Sequence, residues 1–170
     1  MVRFDFNLLL LSLILAIVRG AWFQNTVPVR DVDFVSAAFS SPTVCVMVGF
    51  NSFSGSIIRT ANSGLTWTVV STDLTQTSDI SSITISSATY YLAVSLAGTV
   101  YLSSNRGSNF TVAATLPSQL FGVNIGSNGN AYAVGIPTGS GASSKVYSSN
   151  FTGSGYVNWA DISPVAKVIS

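Results

Sequence analysis

The chain has 170 residues, of which only 8% are charged, and it contains neither histidine nor glutamate. Seven basic residues nearly balance six acidic residues, so no basic patch can neutralise a row of phosphates, and nucleic acid is excluded as an expected partner. A single cysteine and no histidine exclude metal sites built from these residues, and we expect no metal ion and no cofactor.

Residues 1–21 have the features of a secretory signal peptide. A basic start containing Arg3 leads into an apolar run over residues 8–18, which the small residues Gly20 and Ala21 follow. The run has 11 residues, and about 20 are needed to span a bilayer. We predict a signal peptide over residues 1–21 and a secreted or lumenal mature chain without a membrane span; the alternative is an uncleaved anchor.

From residue 22 onward, short apolar runs alternate with polar turns, and no stretch has helical periodicity. Three segments, which we call the turn phrases, each contain a predicted strand, then a polar turn, then an aromatic residue; they are residues 55–67, 98–110 and 144–159. The first two aromatic residues are 43 residues apart, and the third follows 49 residues later. A period of about 40–45 residues made of strands and turns is typical of propeller blades. The sequence therefore predicts an all-β fold, a β-propeller with about three four-stranded blades.

The blades are predicted over residues 29–72, 78–115 and 119–162, within one domain that extends over residues 22–170. In each blade the second strand is the most continuously apolar. In the first blade this strand contains Cys45, and we expect a buried free thiol, because free cysteines are among the most buried residue types. An intermolecular disulfide is the alternative.

The two ends of the mature chain resemble parts of further blades. Residues 22–28 are predicted to be a fourth strand without its first three, and residues 163–170 to begin another blade. Three blades fall below the usual minimum of about four. Two alternatives follow: the N-terminal part of a larger propeller, or a chain that self-associates to close the ring.

The turn phrases resemble the Asp-box, or BNR, repeat, whose pattern is Ser/Thr-x-Asp/Asn-x-Gly-x-Thr-Trp. Residues 60–67 match it at every defined position, and residues 103–110 are a weaker copy with Asn109 and Phe110 at the last two positions. A third copy, residues 148–159, has four extra residues before its tryptophan. The surrounding sequence is most similar to propellers of the photosystem II assembly factor type, in a group that includes sialidases, sortilin-type receptors and xyloglucan hydrolases.

The resemblance covers residues 22–170 and implies that the turns lie on the propeller's periphery. A structural role is expected there, because asparagine can close a turn and glycine can take a positive φ. A ligand or calcium site is the alternative. The structural residues are Thr60, Asn62, Gly64, Thr66, Trp67, Ser103, Asn105, Gly107, Phe110, Ser148, Asn150 and Trp159.

Carboxylates are the remaining candidates for a central site. Asp31 and Asp33 are two residues apart on the predicted first strand and so point to the same face, and Asp79 is the equivalent residue of the second blade. A glycosidase needs two carboxylates about 5–10 Å apart. Solvated or capping aspartates are the alternative, and we assign no catalytic residue. The sialidase catalytic set requires a glutamate, which this stretch lacks.

Two sequons, Asn109-Phe110-Thr111 and Asn150-Phe151-Thr152, are candidate N-glycosylation sites. The sequence favours a non-catalytic binding or scaffolding propeller module in the secretory pathway, with a protein or glycan ligand. The first alternative is part of a carbohydrate-active hydrolase whose carboxylates lie outside this segment. The second alternative is a photosystem assembly factor, as the resemblance implies.

Overall fold

A computed structural model describes residues 27–29, 32–50, 55–70, 79–139 and 143–164. The predicted signal peptide, Asp31 and residues 165–170 lie outside this part of the chain. All regular secondary structure in the described ranges is β, in twelve strands: β1 Asp33–Phe39, β2 Cys45–Phe50, β3 Gly55–Thr60, β4 Thr68–Val69, β5 Ile80–Ile85, β6 Tyr91–Ser95, β7 Thr99–Ser103, β8 Thr111–Thr115, β9 Ser118–Ile125, β10 Ala131–Pro137, β11 Lys145–Phe151 and β12 Tyr156–Asp161.

The strands form three four-stranded sheets in chain order, which we call blade 1 (β1–β4), blade 2 (β5–β8) and blade 3 (β9–β12). Every strand pairs antiparallel with the next strand of its own blade, as in a meander. The predicted all-β fold of stacked four-stranded blades is confirmed.

The first strand of each blade carries a β-bulge at the same position. The pairing of β1 with β2 shifts between Phe34 and Ser36, which leaves Val35 as the extra residue. Ser81 is the extra residue in β5, and Phe121 is the extra residue in β9. Because a bulge re-aims its side chain and increases local twist, the three first strands bend alike.

The hydrophobic core lies between the blades. One face of blade 2, with Tyr91 and Phe110, packs on blade 1. The opposite face of blade 2, with Leu92 and Val94, packs on blade 3. We call the face of a blade that points toward the preceding blade its leading face, and the opposite face its trailing face. The middle blade is covered on both faces, and all five residues of β6 are buried.

Serine hydroxyls link the first strands of neighbouring blades. The Ser36 Oγ accepts a hydrogen bond from the Ile83 backbone N–H at 3.3 Å, and the Ser82 Oγ accepts one from the Val123 N–H at 3.4 Å. The Ser81 Oγ donates to the Leu120 carbonyl at 2.6 Å. The strands β1, β5 and β9 therefore approach one another closely, and they form the inner edge of the stack.

An exposed ion pair joins β11 to β12. The Lys145 Nζ lies 2.7 Å from the Asp161 Oδ2, and both side chains are partly exposed. Hydrogen bonds from Lys145 and from Ser163 lower the pKa of Asp161 from its ordinary value of 3.8 to about 2. Because the pair is solvated, its contribution to stability is small.

The lowered pKa of Asp161 predicts that this residue changes the pH dependence of the free energy of unfolding only at acidic pH. A carboxylate with a lower pKa in the folded state stabilises the fold above its unfolded value of 3.8, and this contribution is lost as pH falls toward about 2. We expect Asp161→Asn to lower the free energy of unfolding slightly at pH 6 and to have no effect near pH 2. Urea unfolding of both proteins across this range checks this, and an equal difference at both ends would contradict it.

The close approach of blade 2 to blade 1 predicts a steric cost at Gly107. This residue has φ = +73°, and an added Cβ would lie 2.4 Å from the Val46 Cγ2. We expect Gly107→Ala to destabilise the fold through the cost of the left-handed backbone, about 1–2 kcal/mol, plus about 1–3 kcal/mol of overpacking.

Gly129→Ala is the matched control, because Gly129 has φ = +79° and an added Cβ there meets nothing within 4 Å. Gly129→Ala should lower the free energy of unfolding only by the cost of the left-handed backbone, about 1–2 kcal/mol. Denaturant midpoints at constant m-value give both quantities. Equal losses for the two variants would show that Gly107 does not mediate the contact between blades.

Candidate functional site

Residues 60–67 form a turn closed by two side chains, which we call the first asparagine turn. The Thr60 Oγ1 accepts a hydrogen bond from the Gly64 N–H at 3.0 Å and donates to the Asn62 Oδ1 at 2.9 Å. The Asn62 Oδ1 also accepts from the Thr66 N–H at 2.9 Å, and the Asn62 Nδ2 donates to the Thr66 Oγ1 at 2.8 Å. The turn therefore satisfies its own polar groups locally.

Residues 103–110, the second asparagine turn, repeat this network atom for atom. The Ser103 Oγ accepts from the Gly107 N–H at 2.9 Å and donates to the Asn105 Oδ1 at 2.9 Å. The Asn105 Oδ1 accepts from the Asn109 N–H at 3.1 Å, and its Nδ2 donates to the Asn109 Oδ1 at 2.7 Å. Asn109 thus replaces the threonine of the first turn as the hydrogen-bond acceptor.

Both asparagine turns contain two successive residues in the left-handed region. Ser63 and Gly64 have φ values of 59° and 83°, and Arg106 and Gly107 have values of 61° and 73°. Only glycine takes such values without a Cβ penalty, so the second position of each pair has a conformational reason to be glycine.

The third copy adopts a different structure. β11 runs through both Ser148 and Asn150 to Phe151, and the turn that follows is closed by the Thr152 N–H on the Gly155 carbonyl at 3.0 Å. β12 begins at Tyr156, three residues before Trp159. The described residues thus contain the asparagine turn at two positions and a longer hairpin at the third.

The three aromatic residues after the turns lie at leading faces. Phe110 is 1% exposed in the core between blades 1 and 2, and Trp159 packs against the core between blades 2 and 3. Trp67 lines a cavity of about 360 Å³ on the leading face of blade 1. The second asparagine turn therefore places Phe110 between blades 1 and 2, whereas Trp67 after the first turn lies on the leading face of blade 1.

The predicted aspartates lie at the start of the inner strands. Asp33 pairs with Phe50, and the Asp79 carbonyl accepts from the Leu96 N–H at the equivalent position of blade 2. Asp31 lies outside the described residues. The third equivalent residue is Gln119, which sequence reasoning missed because its residue type differs and only the strand register identifies it.

The bulge residues add apolar side chains beside these polar groups. Val35 is 48% exposed and Phe121 is 47% exposed. Thr84 Oγ1 donates to the Asn124 Oδ1 at 3.3 Å across the same strands. We call the following set the inner-strand surface: Asp33, Val35, Asp79, Ser81, Thr84, Gln119, Phe121 and Asn124.

The inner-strand surface presents both apolar and polar side chains. It combines two apolar side chains with hydroxyl, amide and carboxylate groups, which suits hydrogen bonding and apolar contact with an extended ligand. Within the described ranges, no three histidine, cysteine, aspartate or glutamate side chains come together as a metal site. The same ranges contain no helix long and apolar enough to cross a membrane.

Cys45 is a buried free cysteine, which confirms the sequence prediction. Burial raises the pKa of its thiol from 9.0 to about 11. The thiol is therefore protonated at neutral pH, the unreactive form of a cysteine.

The sequon asparagines are both exposed. The Asn109 Oδ1 accepts the hydrogen bond from Asn105, so the turn uses the oxygen of Asn109 and not the Nδ2 to which an N-glycan is attached. Asn150 lies near the end of β11 and pairs with Val157 through the backbone. A glycan on Asn109 is thus compatible with the second asparagine turn.

Known protein-family models give no match to this chain. No curated protein sequence matches it either. Among solved structures, the chain is similar to YCF48 bound to a D1 peptide, with 15% identity and a TM-score of 0.63 over 81% of this chain and 42% of that one. YCF48 from Cyanidioschyzon merolae has 14% identity and a TM-score of 0.46, over 87% of this chain and 61% of that one. The chain spans about half the length of these structures, and the first of them supports the propeller fold.

The repeated hydrogen-bond network predicts that its two asparagines stabilise the fold more than the asparagine of the third copy does. We expect Asn62→Ala and Asn105→Ala each to destabilise the fold by about 0.5–1.5 kcal/mol, because the backbone N–H and hydroxyl groups that close each turn lose their hydrogen-bond partner. Asn150→Ala is the control, with an expected change within about 0.5 kcal/mol, as for exposed substitutions in general. Denaturant unfolding measures all three, and a loss at Asn150 equal to the others would contradict the distinction between the turns.

Proposed function

We propose that this protein is a non-catalytic binding module of the secretory pathway, a β-propeller that holds an extended segment of a protein partner on its inner-strand surface. The observation that carries the proposal is the juxtaposition of the exposed Val35 and Phe121 with polar groups along three neighbouring inner strands. Apolar anchors framed by hydrogen-bonding groups are what a peptide backbone and its side chains require.

The bulges provide the physical reason for this exposure. Most apolar residues of the inner strands pack between blades, as Ile83 and Val123 do. A bulge adds one residue to the alternation, so Val35 and Phe121 leave the packed faces. Exposure of an apolar side chain to water at two of the three bulges is unfavourable in free energy. A bound partner would remove both side chains from water.

The similar propeller YCF48 is seen with a D1 peptide, which supports a peptide as the ligand class for this chain as well. This likeness at 15% identity does not favour a particular pathway, so a photosystem assembly role and the hydrolase role stay alternative proposals. The hydrolase alternative has Asp33 and Asp79 at equivalent positions of neighbouring blades as its support.

We also propose that the two asparagine turns are Asp-box repeats with a structural role, and that Asn109 carries an N-glycan in a secreted or lumenal protein. The proposal for the turns is supported by the identical networks around Asn62 and Asn105. The proposal for the glycan is supported by the sequon, the exposure of Asn109 and the hydrogen bond that leaves its turn intact.

The ligand proposal is tested by panning a phage-displayed library of linear peptides on the immobilised 170-residue chain. We expect enriched peptides that bind the wild type and lose at least tenfold in affinity for Val35→Asp, because a carboxylate would replace an apolar anchor. Binding is measured by fluorescence polarisation with the synthesised peptides.

Val112→Asp is the matched control, because Val112 is 52% exposed on the outer strand β8, away from the inner-strand surface. It should bind the peptides as the wild type does. The proposal fails if no peptide is enriched, or if Val35→Asp and Val112→Asp bind alike. A glycan array probed in parallel would replace the peptide proposal if only glycans bind.

A further inference from the structure

Three equivalent residues differ in exposure on the trailing faces of the three blades. Val48, Val94 and Val134 share the same register, each pairing with the residue after the bulge of its own blade. Val48 and Val94 are 0% exposed because the next blade covers them, whereas Val134 is 46% exposed. Ile136 on the same strand is 45% exposed. Among the described residues, the trailing face of blade 3 has no blade packed on it.

The leading face of blade 1 is the complementary case. Phe39 has the register of Ile85 and Ile125, which pack against the two cores. Phe39 is instead 66% exposed. The cavity of about 360 Å³ beside it is lined by Phe39, Cys45, Met47 and Trp67, in the positions that the core residues of blades 2 and 3 occupy.

We propose that these two faces bind each other between two copies of the chain. The trailing face of blade 3 of one copy covers the leading face of blade 1 of the second, and the second pair of faces closes the ring. The chain itself makes this contact twice, where blade 2 packs on blade 1 and blade 3 packs on blade 2. Both exposed faces have the apolar residue types that those two contacts bury.

The arithmetic of the ring favours two copies. Propellers close with about four to eight blades. The three described blades of two copies make six, each related to the next as these three blades are related. A symmetric dimer then leaves neither face open, whereas a head-to-tail contact that did not close would give filaments.

The described residues that line the two faces are uncharged, which is consistent with this occupant. The residues at the blade 1 cavity are apolar or hydroxyl-bearing. On the blade 3 face, the exposed positions of β10, Val134 and Ile136, are aliphatic, and the polar residues farther along the face, Ser148, Asn150 and Asn158, are uncharged. The ion pair of blade 3, between Lys145 and Asp161, is already formed within the chain. Burial of these faces therefore removes apolar surface from water without leaving a charge unpaired.

The test is the mass in solution of four proteins, measured by light scattering after size exclusion at micromolar concentration. The wild type is expected to have twice the chain mass. Phe39→Asp damages the leading face, Val134→Asp damages the trailing face, and each should be monomeric, because every interface of a homodimer would contain one damaged face. The control Val112→Asp should be dimeric, since Val112 is exposed to a similar extent on β8, away from both faces.

Mixing the two damaged proteins separates this arrangement from other dimers. The Phe39→Asp copy keeps an intact trailing face and the Val134→Asp copy keeps an intact leading face, so the mixture should recover a heterodimer through one intact contact. A monomeric wild type, a mixture that stays monomeric, dimers that survive either substitution, or a series of higher oligomers would each overturn the closed dimer. Circular dichroism of each variant confirms that it is folded.

Discussion

The packing of one blade's leading face on the trailing face of the blade before it is the interaction on which this structure depends. Each sheet alone has two apolar faces and no core of its own, and both clusters of buried residues lie between sheets. Burial of an apolar side chain such as Leu92 or Ile57 stabilises the fold by about 1.5–3 kcal/mol. Because the core is shared, a blade is stable only with its neighbours, as in other repeat architectures.

Two recurrent devices keep the faces in register. At the inner edge, a serine after the bulge bonds the backbone of the next blade, as Ser36 and Ser82 do. At the outer edge, an asparagine turn sets its glycine in the left-handed region, and Gly107 then sits directly on Val46. Blade 3 has Gly122 in place of the serine and a hairpin in place of the turn. The glycine removes the inter-blade serine from the trailing side of blade 3, whereas the hairpin lies on its leading side, where Gly155 approaches Leu102 of blade 2.

The asparagine turns could be predicted from the sequence because they depend on residues within four positions of each other. The hydrogen bonds from Thr60 to Asn62 and from Asn62 to Thr66 are local, so their pattern is readable without a fold. The four-stranded blades followed from the period of the turns for the same reason. The structure of the third copy could not be predicted in this way, because its extra residues form a different hairpin that the spacing alone did not indicate.

The inner-strand surface could be predicted only in part, because it depends on strand register and not on residue type. Asp33 and Asp79 were identified as equivalent, but Gln119 shares their position without sharing their chemistry. The bulge residues Val35 and Phe121 are apolar and would be assigned to the core by alternation alone. Only the shift in pairing shows that they leave it, so the apolar part of the candidate site required the structure.

Native-state hydrogen exchange tests the shared core most directly. It is best measured on the Val134→Asp protein, whose outer faces no second copy covers under the assembly proposal. If the blades are stabilised mainly by one another, the amides of β6 and β7 in the doubly covered middle blade exchange most slowly. Those of β2, β3, β10 and β11 should exchange faster. Equal exchange in the three blades, or slowest exchange in an outer blade, would contradict a core shared between the blades.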